Sequence, residues 1–278
     1  MPCEFKIAAH LLVKDEGDII KECLDSVAPY CDYIFVIDNG SSDSTYEICK
    51  QHPRVTWSKR IECTYSDTLR QRLVEVSKKY LSNQDWILAI SADHFFDDNP
   101  RLNIKRAIAE KANVITYDVA QFYLTDLDCN NTHGSRWIDA PVQERLKYYV
   151  INYAGFPVAL QYDSAMVYKE DATEWPMIKD KRVASFSPIL KHYQFRSVDQ
   201  IQKRLSIRRH QIDNGFGGFR HYRSYDWGKY IINSSKLHRY DGNWMRDKKP
   251  TLDDLLDYRT PLVSRIVSCA KKALRLLK

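Results

Sequence analysis

No apolar run in this 278-residue chain approaches the length of a membrane-spanning helix, and no Cys-x-x-Cys pair joins any of its seven cysteines. The first absence argues against a helical membrane protein. The second, with the odd cysteine count, argues for reduced thiols rather than a disulfide scaffold. Two phosphate-binding signatures are also missing. Lack of Gly-x-x-x-x-Gly-Lys-Ser/Thr argues against a P-loop fold. Lack of Gly-x-Gly-x-x-Gly after the first strand argues against a dinucleotide-binding Rossmann domain. There is no internal repeat and no Pro/Gly linker. Met1-Pro-Cys-Glu-Phe-Lys6 leads straight into a strand-like stretch, which leaves no room for a secretory leader and sets the expectation of a cytoplasmic protein. In that setting the sequons at Asn39, Asn130 and Asn233 read as chance matches.

What the chain does contain is an ordinary globular mixture, 44% hydrophobic and 28% charged, so a core of real size is expected. The net charge of +6 is unevenly spread. Residues 196–223 are rich in Arg, Lys and His, and the last seventeen residues carry five cations and no acid. Such patches suit an anionic partner: phosphate groups, a lipid surface or nucleic acid.

Periodicity organises the first half. Lys6–Val13 reads as a buried strand, followed by Ile19, Ile20, Cys23, Leu24 and Val27 at helical spacing. Tyr33–Ile37 is a second strand, and Ser44-x-x-Glu47 predicts a capping box for the next helix. A short strand at Val55–Trp57, a helix over Asp67–Leu81, and a strand at Trp86–Ile90 follow. Pro100 opens a helix capped by Asp98 or Asn99, and Val114–Phe122 is the fifth strand. This alternation predicts an α/β fold with a parallel sheet covered on both faces. Beyond Asp126 the pattern loosens, with a strand pair around Tyr148–Val167 and a basic helix over Ser197–Ile212. The expected organisation is one domain over residues 1–212 and an extension over 213–278.

Two strands end in acids: Tyr33-Ile-Phe-Val-Ile-Asp38, before Asn-Gly-Ser-Ser-Asp43, and Trp86-Ile-Leu-Ala-Ile-Ser-Ala-Asp93. A carboxylate at the C-terminal tip of a parallel strand, beside a glycine turn and a helix N-terminus, is suited to hold a nucleotide. Each acid also has a plainer reading. Asp38 would form a turn, Asp43 would cap a helix, Asp93 would be a turn acid beside the Asp97-Asp98 cap, and Glu16 would be solvated loop charge.

Leu11-Leu-Val-Lys-Asp-Glu16, Val36-Ile-Asp-Asn-Gly-Ser-Ser-Asp-Ser-Thr45 and Trp86–Asp93 together resemble the N-terminal half of family 2 glycosyltransferases with the GT-A fold. Lys191-His-Tyr-Gln-Phe-Arg-Ser197 resembles the His-Tyr-x-x-Arg-Ser segment of a bacterial surface-glycan branch of that family. The resemblance covers about residues 5–210. It implies transfer of a sugar from a nucleoside-diphosphate-sugar donor to an acceptor hydroxyl, with Mn²⁺ or Mg²⁺ bridging the pyrophosphate. Asp38 would contact base or ribose, Glu16 the nucleotide, and Asp93 the metal. The family's first motif acid is Ser91 here, which could still reach a ribose hydroxyl, and His94 stands where an acid often follows. His192 would contact metal or diphosphate, and Arg196 the departing charge. An inverting transfer needs a base; Asp139, Glu144, Asp163, Glu170, Asp171 and Glu174 are open, with Asp163 favoured. The implied acceptor is a surface saccharide such as lipopolysaccharide core or capsule, or a lipid-linked glycan. A sugar nucleotidyltransferase is a rival that should show a glycine-rich first loop. A nucleotide- or sugar-binding protein with a decayed metal motif is another, kept open by Ser91.

In residues 262–278 the apolar Leu262, Val263, Ile266, Val267, Ala270, Ala273, Leu274 and Leu277 share one helical face, with the cations on the others. A basic amphipathic helix without acids suits peripheral attachment to the inner face of an anionic membrane. Nucleic acid is not expected, since no nucleic-acid motif accompanies the charge. Flotation with anionic vesicles checks this: the full chain should float, and a chain ending at residue 261 should stay behind. Equal flotation removes the anchor.

Overall fold

The computed structural model describes residues 5–63, 65–131, 135–169, 175–213 and 226–246. The tail helix expected over 262–278, and the acids Glu170, Asp171 and Glu174, lie outside the described residues. Among the described residues no helix is long and apolar enough to cross a membrane.

Strand β1 (Ile7–Val13) is buried along its whole length, and β2 (Tyr33–Asp38) and β4 (Trp86–Ile90) are nearly or wholly so. A strand buried on both faces must be apolar at consecutive positions, which is why these segments read as runs rather than alternations. β1 pairs in parallel with β2 on one side and β4 on the other. β2 continues in parallel to β3 (Trp57–Arg60), which starts two residues later than expected. The strand order is β3-β2-β1-β4-β7-β6-β8-β5, where β5 is His94–Phe96, β6 Val114–Tyr123, β7 Tyr148–Gln161 and β8 Ile189–His192. The α/β class stands as expected. The parallel ladder, however, stops at β4. Long β7 joins β4 antiparallel, so β6, expected as the fifth parallel strand, lies beyond it.

Helix α1 (Ile20–Val27) buries Ile20, Cys23, Leu24 and Val27, the stripe its spacing predicts. The backbone N–H groups of Ile19 and Ile20 both donate to Glu16 O, which starts the helix. Helix α2 (Thr45–Gln51) starts differently from the expectation: Ser44 makes no side-chain cap bond. Asp43 accepts from Thr45 N at 3.0 Å instead. The Ser44 hydroxyl lies over Gly17 of the neighbouring loop, where a Cβ would come within 2.7 Å of it. Helix α3 (Gln71–Ser77) covers one sheet face, where Leu73 and Val74 meet Ala8, Leu12, Phe35 and Ile37. Helix α4 (Pro100–Ala109) is capped by Asn99, which accepts from Arg101 N at 2.9 Å. Asp97 is taken up elsewhere, 2.8 Å from Lys191 Nζ.

The chain divides into two compact units, residues 1–120 with 153–192 and residues 121–152 with 193–278. This division does not follow the 212/213 boundary expected from sequence. In the second unit, α5 (Asp126–Asn131), α6 (Ser135–Asp139) and α7 (Val142–Arg145) precede the start of β7, which pairs with β9 (His238–Arg239). Phe122, Tyr149, Tyr193, Tyr240 and Trp244 make its aromatic centre, with Phe122 stacked on Tyr193 at 4.6 Å and Tyr240 against Trp244 at 4.4 Å. The basic helix α8 (Val198–Asp213) buries Ile201 and Leu205 there.

His10 sits buried in the middle of β1, its Nε2 2.7 Å from Ser77 Oγ. That hydroxyl donates to Leu73 O, so it accepts from Nε2–H, and Nδ1 has no partner among the described residues. Burial, with the nearby Arg70 guanidinium, pushes the His10 pKa from 6.5 down to about 3. Between those values the unfolded chain binds a proton that the folded one refuses, so stability falls as pH drops from 6.5 towards 3. The limiting slope is about 1.4 kcal/mol per pH unit for one such group. Urea unfolding of the wild type and His10→Leu between pH 7 and pH 4 should show a shallower slope in the variant; equal slopes would exclude His10 as the source.

Candidate functional site

The strand order places a topological switch at β1. The chain leaves β1 towards β2 and β3, then returns to pair β4 on the other side. Crevices form outside the carboxyl ends of strands at such a point, because the following loops diverge. Here those loops are Lys14–Gly17 after β1, Asn39–Ser44 after β2, Ile61–Cys63 after β3 and Ser91–Asp93 after β4. Asp38 ends β2 and Asp93 follows β4, so the two acids come from the strands on either side of β1.

Asp38 is fully buried and its carboxylate is engaged by its own loop. Oδ2 accepts from Ser41 N at 3.0 Å, and the Ser41 hydroxyl donates to Oδ1. Arg60 Nε lies 3.9 Å from Oδ2, and its guanidinium also meets Glu62 at 3.1 Å. Gly40 takes the left-handed conformation, φ +69°, that this tight loop requires. The first loop is tied to the second: Glu16 N donates to Thr45 Oγ1 at 2.8 Å, and Ser42 N donates to Asp15 Oδ1 at 2.7 Å. Asp43, read from sequence as either nucleotide contact or cap, joins both loops by accepting from Gly17 N and Thr45 N.

These loops enclose a cleft of about 270 Å³ lined by Lys14, Asn39, Gly40, Ser41, Ser42, Arg60, Glu62 and Cys63. Lys14 Nζ donates to Asn39 O and Gly40 O. The Asn39 amide donates to Ile61 O and Cys63 O, which fixes its orientation. Its buried Oδ1 finds no donor among the described residues. Lys14, Asn39, Arg60, Glu62 and Cys63 were not picked out by sequence. The signal available was position, since each lies at or just past the C-terminal end of a parallel strand.

Beyond β4, Ser91–His94 forms a tight turn, with His94 N donating to Ser91 O at 3.1 Å. β5 then pairs antiparallel with β8, and His94 stands directly opposite His192. Asp93 Oδ2 and His192 Nε2 come within 3.3 Å, and one ligand atom from each of Asp93, His94 and His192 lies within 4.8 Å of the others. Two ligand atoms each about 2.1 Å from one octahedral ion lie about 3 Å apart, so the Asp93–His192 pair fits a divalent cation. Cys23 closes the turn from behind, its thiol 3.6 Å from Ser91 O and 3.7 Å from His94 O. Burial, and next the Asp93 carboxylate, push its pKa well up.

The structure thus brings together Asp93 and His192, with Ser91 at the start of the same turn. Glu16 and Asp38 stand on the adjoining loops of the same unit. Asp163 lies elsewhere. β7 runs antiparallel to β4, and Tyr162 N donates to Asp85 O, so Asp163 follows at the edge where β4 begins. The five residues of β4, roughly 17 Å of strand, separate the turn that carries Asp93 from that end. There Asp163 caps a turn by accepting from Ala165 N at 2.8 Å. Arg196 belongs to the second unit, fully buried, with Nη1 donating to Tyr193 O at 3.0 Å. Asp139 and Glu144 belong to that unit as well.

Cys63 is exposed at the cleft, whereas Cys23, Cys31 and Cys49 are buried. Burial pushes the thiols of Cys31 and Cys49 up to about 12, with help from Asp32 and Asp38 respectively. Thiolate is the reactive form. Iodoacetamide labelling followed by peptide mass mapping should therefore modify Cys63 in the native protein and reach Cys23, Cys31 and Cys49 only on unfolding. Labelling of Cys31 or Cys49 at the rate of Cys63 would contradict this arrangement.

No family model and no curated protein matches the chain. Among solved structures it is similar to Staphylococcus aureus TarS 1–349, at 16% identity over 42% of this chain and 36% of that one, with a TM-score of 0.35. It is also similar to glucosyl-3-phosphoglycerate synthase from Mycobacterium tuberculosis in complex with Mn²⁺ and UDP-glucose. That match has 15% identity over 57% of this chain and 56% of that one, with a TM-score of 0.34. A mycobacterial protein matches at 14% identity over 42% of each chain, with a TM-score of 0.32. The chain spans less than two thirds of each of these structures. Likeness this partial carries no property of those proteins to this chain.

Proposed function

We propose that this protein is a GT-A type glycosyltransferase that uses a nucleoside-diphosphate sugar and a divalent metal ion. The observation that carries the reading is the Asp93–His192 pair, 3.3 Å apart, at the switch point of a parallel sheet and beside a polar cleft. Parallel sheets bind phosphorylated ligands at such points, and a carboxylate with an imidazole suits Mn²⁺ better than Mg²⁺, which favours oxygen ligands.

In this reading the nucleoside occupies the cleft. Asp38 shapes it by holding Ser41 and the Gly40 turn, rather than by offering a free carboxylate. Lys14 and Arg60 bring positive charge towards the diphosphate, and the Asn39 carbonyl oxygen offers an acceptor to a donor group of the ligand. Ser91 and Glu16 stand at the two loops between cleft and clamp, where a ribose or phosphate would pass. Asp93 and His192 would hold the ion, which when bound supplies charge to the leaving diphosphate. Arg196, assigned to that charge by sequence resemblance, is already committed to Tyr193 O, so that task falls to the ion and to Lys14. Asp163 follows the strand end that lies away from the Asp93 turn, which supports another acid as the base of an inverting transfer. A surface saccharide or lipid-linked glycan as acceptor, and membrane attachment through residues 262–278, rest on sequence alone.

Calorimetry with UDP, GDP and dTDP, each with and without Mn²⁺, tests the reading. One nucleotide should bind, and omission of Mn²⁺ or the substitutions Asp93→Ala and His192→Ala should each weaken it by about tenfold or more, or roughly 1.4 kcal/mol. No binding to any of the three would overturn the transferase reading and favour the protein with a decayed metal motif.

A further inference from the structure

The three groups gathered at the end of β4 and β8 invite the reading of a two-histidine, one-carboxylate metal site. The hydrogen bonding of His94 points elsewhere. Its Nδ1 lies 3.2 Å from the backbone nitrogen of Ser91. A peptide N–H can only donate, so Nδ1 is the acceptor. A neutral imidazole has one in-plane lone pair, which places the proton on Nε2 and leaves no lone pair for an ion while that bond persists.

The same residue closes the turn a second time, because its own backbone N–H donates to Ser91 O at 3.1 Å. Asp93 therefore sits inside a turn locked reciprocally by Ser91 and His94, with the Cys23 thiol against the carbonyls of both. On its other side the His94 ring meets His192 edge to face, centroids 4.7 Å apart at 79°. The β5–β8 register puts the two histidines directly opposite one another, where side chains are in closest contact. His94 thus touches both members of the clamp. It fixes the turn that carries Asp93 and the ring plane of His192.

We infer that His94 is a positioning residue of the metal clamp, holding Asp93 and His192 at ligating separation through its Nδ1 bond to Ser91, and not itself a ligand. The inference rests on the proposed metal-binding reading of the site. It also accounts for how a clamp lacking the first acid, with Ser91 in its place, keeps its geometry: the backbone of that residue takes part where no carboxylate does. Supporting groups of this kind change metal affinity by about 10- to 100-fold when removed.

Two isosteres separate the possibilities. In His94→Asn the side-chain oxygen can stand where Nδ1 stands, whereas in His94→Gln the polar end reaches the position of Nε2. Mn²⁺ alone would be titrated against wild type and both variants, with free Mn²⁺ followed by electron paramagnetic resonance and folding checked by thermal denaturation. His94→Asn should stay within about threefold of wild type and His94→Gln should fall by about tenfold or more. The reverse order would make His94 a ligand through Nε2, and equal behaviour of the two variants would remove its positioning role. Long-range ¹⁵N spectra of the wild-type imidazoles, with and without diamagnetic Zn²⁺, give a readout that needs no variant. The His94 Nε2–H signature should survive metal addition while His192 shifts, and loss of that signature would overturn the inference. A wild type that binds no Mn²⁺ overturns the clamp itself, whereas a wild type that binds with the wrong variant order overturns only the role of His94.

Discussion

Everything at the site depends on the burial of β1 between two parallel neighbours. All seven residues of this strand are buried, and Ile7, Leu11, Leu12 and Val13 each contribute about 1.5–3 kcal/mol relative to exposure. With β2 on one side and β4 on the other, the backbone is paired on both sides over Ala8–Leu11 and cannot slip without moving apolar side chains to the wrong face. The loops leaving these strands are therefore anchored on rigid supports. Their polar side chains then knit them together, Asp15 with Ser42, Asp43 with Gly17 and Thr45, and Asp38 with Ser41.

The buried carboxylates show two ways of managing charge. Asp38 is wrapped by donors from its own loop and by an arginine at 3.9 Å, so it acts as architecture for the cleft. Asp93 is nearly as buried, but the group 3.3 Å from it is the His192 imidazole, which can accept as well as donate and can share an ion with it. Two acids that look alike at the tips of their strands thus take different parts. The difference lies in what the next three residues and the opposite strand bring.

Much of the first half was legible in the sequence because local rules were sufficient there. The stripe Ile20, Cys23, Leu24 and Val27 faces the core as a period of 3.6 demands, and Asn99 with Pro100 opens α4 as its chemistry suggests. The failures came where a distant contact overrode a local preference. Ser44 makes no cap bond: its hydroxyl lies over Gly17, twenty-seven residues earlier, and Asp43 accepts from Thr45 N in its place. Asp163 follows a strand and looks like a site acid, yet β7 runs antiparallel to β4, which sets its end apart from the turn that carries Asp93. Strand direction is invisible in a hydrophobic pattern that reads the same both ways.

By itself the sequence determined the α/β class, the positions of the buried strands and the placing of acids at two of their ends, because burial on both faces dictates continuous apolar runs and abrupt polar stops. Only the tertiary structure decided which side chains meet Asp93. His192 lies ninety-nine residues beyond Asp93 and reaches it because β8 pairs with β5 in a register that sets the two histidines opposite each other. That register follows from the packing of whole strands, so no local window of sequence contains it.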